Sequence, residues 1–471
     1  MAFQSFGFLA LFCVTLLLCL PLQKKHPAAA RGCLLIACLC FYLAAGWAGF
    51  LLLLAGGLVT RLAARRLVSG GGKRPLVLAV CFHIGVLLCF KYTGFLTDGA
   101  IVPPFVPLGL SFFTFQQLWY LKEVASGGWS GTESGQEFWL YTFFFPTVSS
   151  GPILRPDAFF PQLEGGGFLH PSWEDGAAGL YAIVLGMGKK VLLADSFGGI
   201  VNNGYAHLDE LTTLPALLVI LGYTLQLYFD FSGYCDMAAG LARCLGIRLP
   251  INFDSPYRAT SLGDFWKRWH ITLTTFLREC LYFPLGGNRR GKLRGYVNLL
   301  VIFLVSGLWH GAGWTFLLWG LLHGLAMVFE KWLGKERLAR VPKLIGWALT
   351  FAFVNLAWVY FRAPTVEMGN QLLGAVLSLD FARPEPWLVS GLFSSELAAL
   401  RILLPSFESW NSLLIAGLFA LGMGTVLLPQ NTIRRMDSFR PTVWRTVLLA
   451  LLLTWSVLSF SGITTFIYSN F

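Results

Sequence analysis

Seven histidines occur in the 471 residues, few enough to weigh singly, and His310 carries the most chemical promise. From Gly295 to Phe329 the chain has no Asp, Glu, Lys or Arg, so this stretch belongs in a bilayer. An ionisable side chain in such a place is a functional hypothesis by default. On a helix beginning near Tyr296, His310 would lie roughly 21 Å along the axis. Gly307, Gly311 and Gly313 surround it and let another helix or a ligand approach the backbone closely. A histidine at that depth can act as general base on an attacking hydroxyl, worth about 10²–10⁴-fold in rate. The plainer alternative is a neutral imidazole that bridges two helices by hydrogen bonds.

Two further histidines are candidates by neighbourhood. His270 ends the run Phe265-Trp-Lys-Arg-Trp-His270, and His323 follows His310 in Gly320-Leu-Leu-His-Gly324. Asp230 and Asp236 place two carboxylates in or at the end of an apolar run, where they can anchor an intramembrane polar network or, in a transporter, bind a cation. His26, His83 and His207 have no partner in sequence and are read as structural or solvated.

Several motifs are decoys. His170-Pro-Ser-Trp-Glu-Asp175 fits the HxxxxD pattern of soluble glycerolipid acyltransferases, but Ser172 with Asp175 is better explained as a helix cap before Ala177–Leu185. Gly286-Gly-Asn-Arg-Arg-Gly291-Lys292 imitates a phosphate-binding loop, yet Leu293 stands where a Ser or Thr should hold Mg²⁺ and no strand precedes it. No G-x-S-x-G elbow occurs. The ten cysteines form neither a CxxC pair nor the Cys/His spacing of a zinc site, so no metal is expected, and most are small residues inside apolar runs.

The elements that must position these groups follow from composition. Hydrophobic residues make up 56% of the chain and charged ones 13%, about half the roughly 25% of soluble domains. Mean hydropathy is +0.64. So few charges cannot cover a soluble globule, and the same figures exclude disordered, collagen-like and coiled-coil chains. A net charge of +11 with 15% aromatic residues is read as the cytoplasmic faces of membrane helices, not as a nucleic-acid binder.

A span needs roughly 20 mostly apolar residues, so roughly ten to twelve could fit here. Apolar runs lie at 6–22, 33–64, 76–95, 101–121, 138–154, 176–195, 214–231, 295–328, 344–361, 408–428 and 441–468. The 33–64 run suits a tight hairpin around Gly46 and Gly49. No Lys or Arg precedes the first run, whereas Lys24, Lys25 and His26 follow it. That order predicts an uncleaved first span with its C-terminal end in the cytoplasm. With no internal repeat and no long polar stretch, residues 1–471 are expected to form a single integral-membrane domain.

The segment 240–295 breaks the apolar rhythm, with ten Lys/Arg against Asp254, Asp264 and Glu279. The positive-inside rule places this basic insert in the cytoplasm. Ser261 with Asp264 resembles a capping box, after which Phe265, Trp266, Trp269, Leu273, Phe276 and Leu277 would share one face of a single amphipathic helix. Lys267, Arg268 and Arg278 fall on the other side. That face would either snorkel to lipid phosphates or dock an anionic cytosolic ligand such as a nucleotide or a phosphopantetheine group.

Together these residues resemble a known family. Tyr228-Phe-Asp-Phe-Ser-Gly-Tyr-Cys-Asp-Met237, Asn252-Phe-Asp-Ser-Pro-Tyr257 and Phe265-Trp-Lys-Arg-Trp-His270 are similar to motifs of the membrane-bound O-acyltransferase (MBOAT) superfamily. Pro284-Leu-Gly-Gly-Asn-Arg-Arg-Gly291 and Gly307-Leu-Trp-His-Gly311 resemble the branch that O-acetylates alginate, peptidoglycan and cellulose. Further matches are Pro107 to Phe115, Phe144-Phe-Pro146 through Gly151-Pro-Ile-Leu-Arg155, Lys189-Lys190 before Ala194-Asp195, Phe361-Arg-Ala363, Leu428-Pro-Gln-Asn431 and Phe466-Ile-Tyr468. The resemblance covers essentially the whole chain, most specifically 228–324. Cys235 stands where that branch usually has Ser, and Glu123 where Asp is common; these departures weaken any inference about which polysaccharide is modified.

The resemblance implies an all-α polytopic bundle with short interfacial or re-entrant helices around a tunnel that narrows near the bilayer centre. It implies that His310 is the catalytic histidine and His270 the second histidine facing it. Asp230, Asp236, Asn252 and His323 would form a supporting polar network, and Lys267, Arg268 and Arg278 would receive the donor. No bound cofactor is expected, and acetyl-CoA or another cytosolic acetyl thioester would be the donor substrate. Attack on its carbonyl needs oxyanion stabilisation, from His270 or a nearby tryptophan N–H. Acetyl would then cross the bacterial inner membrane to a periplasmic polysaccharide O-acetyltransferase partner, with alginate as the leading acceptor. Alternatives within the superfamily are acetylation of peptidoglycan or cellulose and D-alanyl transfer to teichoic acids. Outside it stand a secondary transporter, against which no inverted repeat of broken helices is evident, and a scaffold for an export complex.

Overall fold

The computed structural model describes residues 2–165, 167–381, 386–389 and 411–462. All regular structure among them is helical. Eight of the described helices are long and apolar enough to cross a membrane: Phe6–Lys25, Trp47–Val68, Arg74–Leu96, Trp173–Ala206, Thr213–Cys244, Lys292–His310, Trp314–Leu333 and Lys343–Arg362. Pro27–Leu43, Leu413–Val426 and Val443–Leu458 are shorter apolar helices. Large apolar side chains such as Leu17, Leu78 and Leu344 point outward, as a lipid-facing surface allows. The chain is a multi-pass membrane protein.

Local chemistry sets several of the boundaries. Ser5 accepts the Phe8 N–H at 3.3 Å to open the first helix, and Pro27 begins the next, where its missing N–H costs nothing. The expected hairpin in 33–64 turns at Gly46, whose φ of +143° suits glycine. Gly49 instead lies inside the following helix against Pro107. Ser172 and Asp175 form a reciprocal capping box on Trp173–Met187, as the sequence predicts.

Two apolar runs do not become spans. Residues 101–109 are irregular before the helix Leu110–Ser126. The 138–154 run holds two short buried helices, Gly135–Phe143 and Phe145–Val148. Both runs are rich in Phe, Tyr and Trp that pack inward, and hydropathy alone cannot tell an inward aromatic from a lipid-facing one. The tail of the 441–468 run, with Phe466-Ile-Tyr468, lies outside the described residues.

The 295–328 run is a helical hairpin. Lys292–His310 and Trp314–Leu333 are joined through Gly311-Ala-Gly313. His310 therefore closes its helix at the hairpin tip instead of sitting midway along a continuous one. The two helices cross at Gly307 and Gly320, where an added methyl would run into the carbonyl oxygens of Phe316 and Phe303.

A second close crossing joins Trp173–Met187 to the helix Thr213–Cys244. A Cβ on Gly186 would stand 2.6 Å from the Gly233 oxygen, and one on Gly240 would stand 2.5 Å from the Gly179 oxygen. Small residues at such crossings let backbones meet in lipid. The helix then winds through a π turn, Gly188–Ala194. There Lys189 reaches Asp236 at 2.6 Å, and Lys190 reaches both Asp195 and Asp230 at 2.8 Å.

Candidate active site

The segment expected to be one amphipathic helix is two. Leu262–Arg268 and Ile271–Leu277 are separated at Trp269-His270. His270 adopts φ 45°, ψ 55°, a left-handed conformation uncommon for a side-chain-bearing residue and costing of order 1–3 kcal/mol. The break is over-determined on both sides. The Ile271 N–H donates to the Asn252 carbonyl at 3.0 Å, and the Asp254 N–H donates to the Arg268 carbonyl at 2.9 Å. The Asn252 side-chain oxygen accepts from Thr272 twice, from N–H at 3.1 Å and from the hydroxyl at 2.9 Å. Its amide nitrogen faces Cys235 Sγ at 3.6 Å. Asn252 thus shapes the backbone that presents His270.

The first of the two helices is anchored at its start. Ser261 accepts the Asp264 N–H at 3.1 Å, while the Glu330 carboxylate accepts Leu262 N–H at 2.7 Å and Gly263 N–H at 2.9 Å. An anion across two orphan N–H groups satisfies the helix end and its positive dipole together.

The imidazoles of His270 and His310 face each other with ring centroids 6.5 Å apart. Both residues are buried, at 0% and 2% exposure. Phe231 lies 4.8 Å from the His270 ring and Trp309 5.7 Å from it. Phe361 and Trp319 lie 5.0 and 5.2 Å from the His310 ring. Among the described residues, neither ring nitrogen of His270 has a hydrogen-bond partner, and neither does the indole N–H of Trp319. Unmet polar atoms in a buried aromatic chamber are where a reacting group would be held.

His323 joins the same chamber from one side. Its ring stands 4.9 Å from Trp319, and its Nδ1 accepts the Trp266 indole N–H at 3.3 Å. That bond assigns the ring proton to Nε2.

The remaining expected residues separate from this centre. Asp230 and Asp236 are engaged by Lys190 and Lys189 and brace two helices. Arg268 is held by Asp264 at 2.8 Å and by the Asp254 carbonyl at 3.2 Å, so it supports the backbone break. Lys267 and Arg278 are exposed. Of the lone histidines, His83 bonds Thr60 at 2.8 Å and His207 stacks on Trp387 at 4.4 Å.

Lys91 and Tyr92 are the residues that motif reasoning missed. They sit on the π turn Leu88–Tyr92. Lys91 Nζ donates to the Trp309 carbonyl, to the His310 carbonyl at 3.5 Å and to the Ser111 hydroxyl at 3.1 Å. The Tyr92 hydroxyl donates to the Leu308 carbonyl at 2.6 Å. Together they cap the otherwise orphaned C-terminal carbonyls of the His310 helix. The signal was present: Lys91 is the lone charge in the 76–95 run.

Fold and site define a multi-pass membrane protein built around a dry chamber of histidines and aromatic rings. The family model described as MBOAT, membrane-bound O-acyltransferase family, matches residues 131–367, a range that contains all three clustered histidines. The chain is 36% identical over 421 residues to a peptidoglycan O-acetyltransferase of Helicobacter pylori, covering 80% of this chain and 78% of the relative. It is 36% identical over 423 residues to a probable alginate O-acetylase of Azotobacter vinelandii, covering 85% and 82%. A teichoic acid D-alanyltransferase of Bacillus subtilis matches at 27% over 269 residues, covering 54% and 68%. The protein belongs to the membrane-bound O-acyltransferase family and is an acyltransferase.

Proposed function

We propose that this protein takes acetyl from a cytosolic thioester, acetyl-CoA or a related donor, and passes it across the bacterial inner membrane for O-acetylation of an extracytoplasmic polysaccharide. The observation that carries the reading is the facing pair of buried imidazoles, His270 and His310. In this mechanism His310 is the general base. An acceptor hydroxyl attacks the thioester carbonyl while its proton passes to His310. The C–S bond then breaks, the new ester C–O bond remains, and the proton leaves with the departing thiol. His270 or the Trp319 indole N–H supports the negative charge on the carbonyl oxygen, the role that preorganised donors fill in acyl transfer.

The acetylating relatives match at higher identity and coverage than the D-alanyl one, which favours acetyl as the group transferred. Alginate leads as acceptor through the alginate O-acetylase relatives, with peptidoglycan favoured by a relative of equal identity. The final transfer to sugar hydroxyls is assigned to a separate periplasmic acetyltransferase. The test is O-acetyl content of the exported polysaccharide in a deletion strain complemented with wild type, His310→Ala or His270→Ala at matched membrane levels. Loss of acetyl groups with export intact supports the mechanism. Full acetylation with His310→Ala overturns it and favours a transporter or scaffold.

A further inference from the structure

A cavity of about 390 Å³ opens between the helix Trp173–Met187 with its π turn, the helix Asn411–Val426 and the helix Val443–Leu458. None of His270, His310 and His323 lines it. Its walls are apolar, with Leu185, Leu192, Leu418 and Leu452 among them. Leu421 and Trp455, 58% and 45% exposed, also line it and give it an outward-facing edge. Gln430, Thr432, Lys189 and Arg435 form a polar margin.

The charge at that margin is positive and unneutralised. Lys189 is paired with Asp236, but among the described residues no carboxylate pairs with Arg435, whose side chain hydrogen-bonds the Tyr181 phenol. The adjoining stretch adds Arg434, Arg440 and Arg445 against Asp437. Arg434 reaches Asp254 at 2.7 Å and Asp437 reaches Arg243 at 3.5 Å, so this margin shares the side of the basic 240–295 segment. The positive-inside rule makes that side cytoplasmic.

We propose that the cavity is a binding site for an anionic diacyl phospholipid of the cytoplasmic leaflet. One acyl chain lies along the leucine wall, and the phosphate diester meets Arg435. Basic pockets between transmembrane helices at the cytoplasmic face recognise anionic headgroups in this way, and the volume falls within the range of about 300–1,000 Å³ for ligand sites. An acetyl group needs no such groove, so the site is separate from the acyl-transfer chamber and independent of the assigned substrate.

The test is native mass spectrometry of the delipidated full-length protein with equimolar phosphatidylglycerol and phosphatidylcholine. Wild type is expected to bind one phosphatidylglycerol in preference. Arg435→Gln should lower that preference about fivefold, the effect of one basic residue near an anionic surface, while Arg434→Gln, outside the cavity, should retain it. Leu421→Trp should reduce binding of both lipids, and Thr425→Phe repeats the test should the tryptophan variant fail to elute as a monodisperse species. Equal binding of the two lipids by wild type, an unchanged ratio in Arg435→Gln, or full lipid binding with the cavity filled overturns the proposal. So does a second copy of the chain or retained detergent as the sole occupant.

Discussion

The Lys91 ammonium and the His310 carbonyl meet at 3.5 Å across 219 positions of sequence. A cation from one span thus holds the backbone that carries the proposed base. Lys91→Met should leave the Trp309 and His310 carbonyls without this donor, at about 1–3 kcal/mol for buried groups left unpaired. Acyl transfer should fall to roughly a tenth of wild type, equivalent to about 1.4 kcal/mol in the barrier, with Lys91→Arg recovering part of it. Transfer rates in matched proteoliposomes decide the matter, and an unaltered rate with Lys91→Met would refute the positioning role.

Asn252 acts on His270 through the backbone. Asn252→Ala removes the acceptor for both Thr272 donors, and should cost about 1–3 kcal/mol and depress transfer. Asn252→Asp keeps an acceptor oxygen and should retain more activity than the alanine variant. Comparing the two by thermal unfolding in detergent and by transfer rate checks this; equal behaviour would argue against the role given to the side-chain oxygen.

The glycine crossing is sensitive to one methyl group. Gly233→Ala would put a Cβ 2.7 Å from the Gly186 carbonyl oxygen, and overpacking of this kind typically costs about 1–3 kcal/mol. Gly424→Ala meets nothing within 4 Å and should be neutral or slightly stabilising. A lowered melting temperature in the first variant alone is the expected result.

Two ion pairs should behave very differently. Asp230→Asn breaks the contact between Lys190 and Asp230, both at most 2% exposed, and removing one partner of a buried pair costs about 3–5 kcal/mol. Asp264→Asn breaks a half-buried i,i+4 pair with Arg268 worth about 0.3–0.5 kcal/mol. If both variants melt alike, Lys190–Asp230 is not the brace described above.

Most spans were legible because lipid demands long apolar helices, and the 6–22, 76–95 and 344–361 runs each became one. The same measure failed for 101–121 and 138–154, where phenylalanines such as Phe115 and Phe143 face protein rather than lipid. The resemblance pointed to His270 and His310 together, but spacing alone could not. Their approach depends on a left-handed residue between two short helices and on a hairpin tip, and neither has a local signature when the residue is histidine. Asp264 and Arg268 stand at a spacing that favours pairing, so the engagement of Arg268 could have been anticipated. Which carbonyls Lys91 would seek could not.

The π turn at Gly188–Ala194 limits how the chain can change in length. Consecutive residues on a regular helix are rotated by about 100°, so Lys189 and Lys190 answer to two different carboxylates on the neighbouring helix. Deleting one residue from this turn would restore ordinary winding at the expense of one lysine's register, and would rotate everything from Asp195 to Ala206 with it. Substitutions here can be absorbed locally, whereas a single-codon gap would propagate through the bundle. Length in this segment should therefore be under tighter constraint than residue identity.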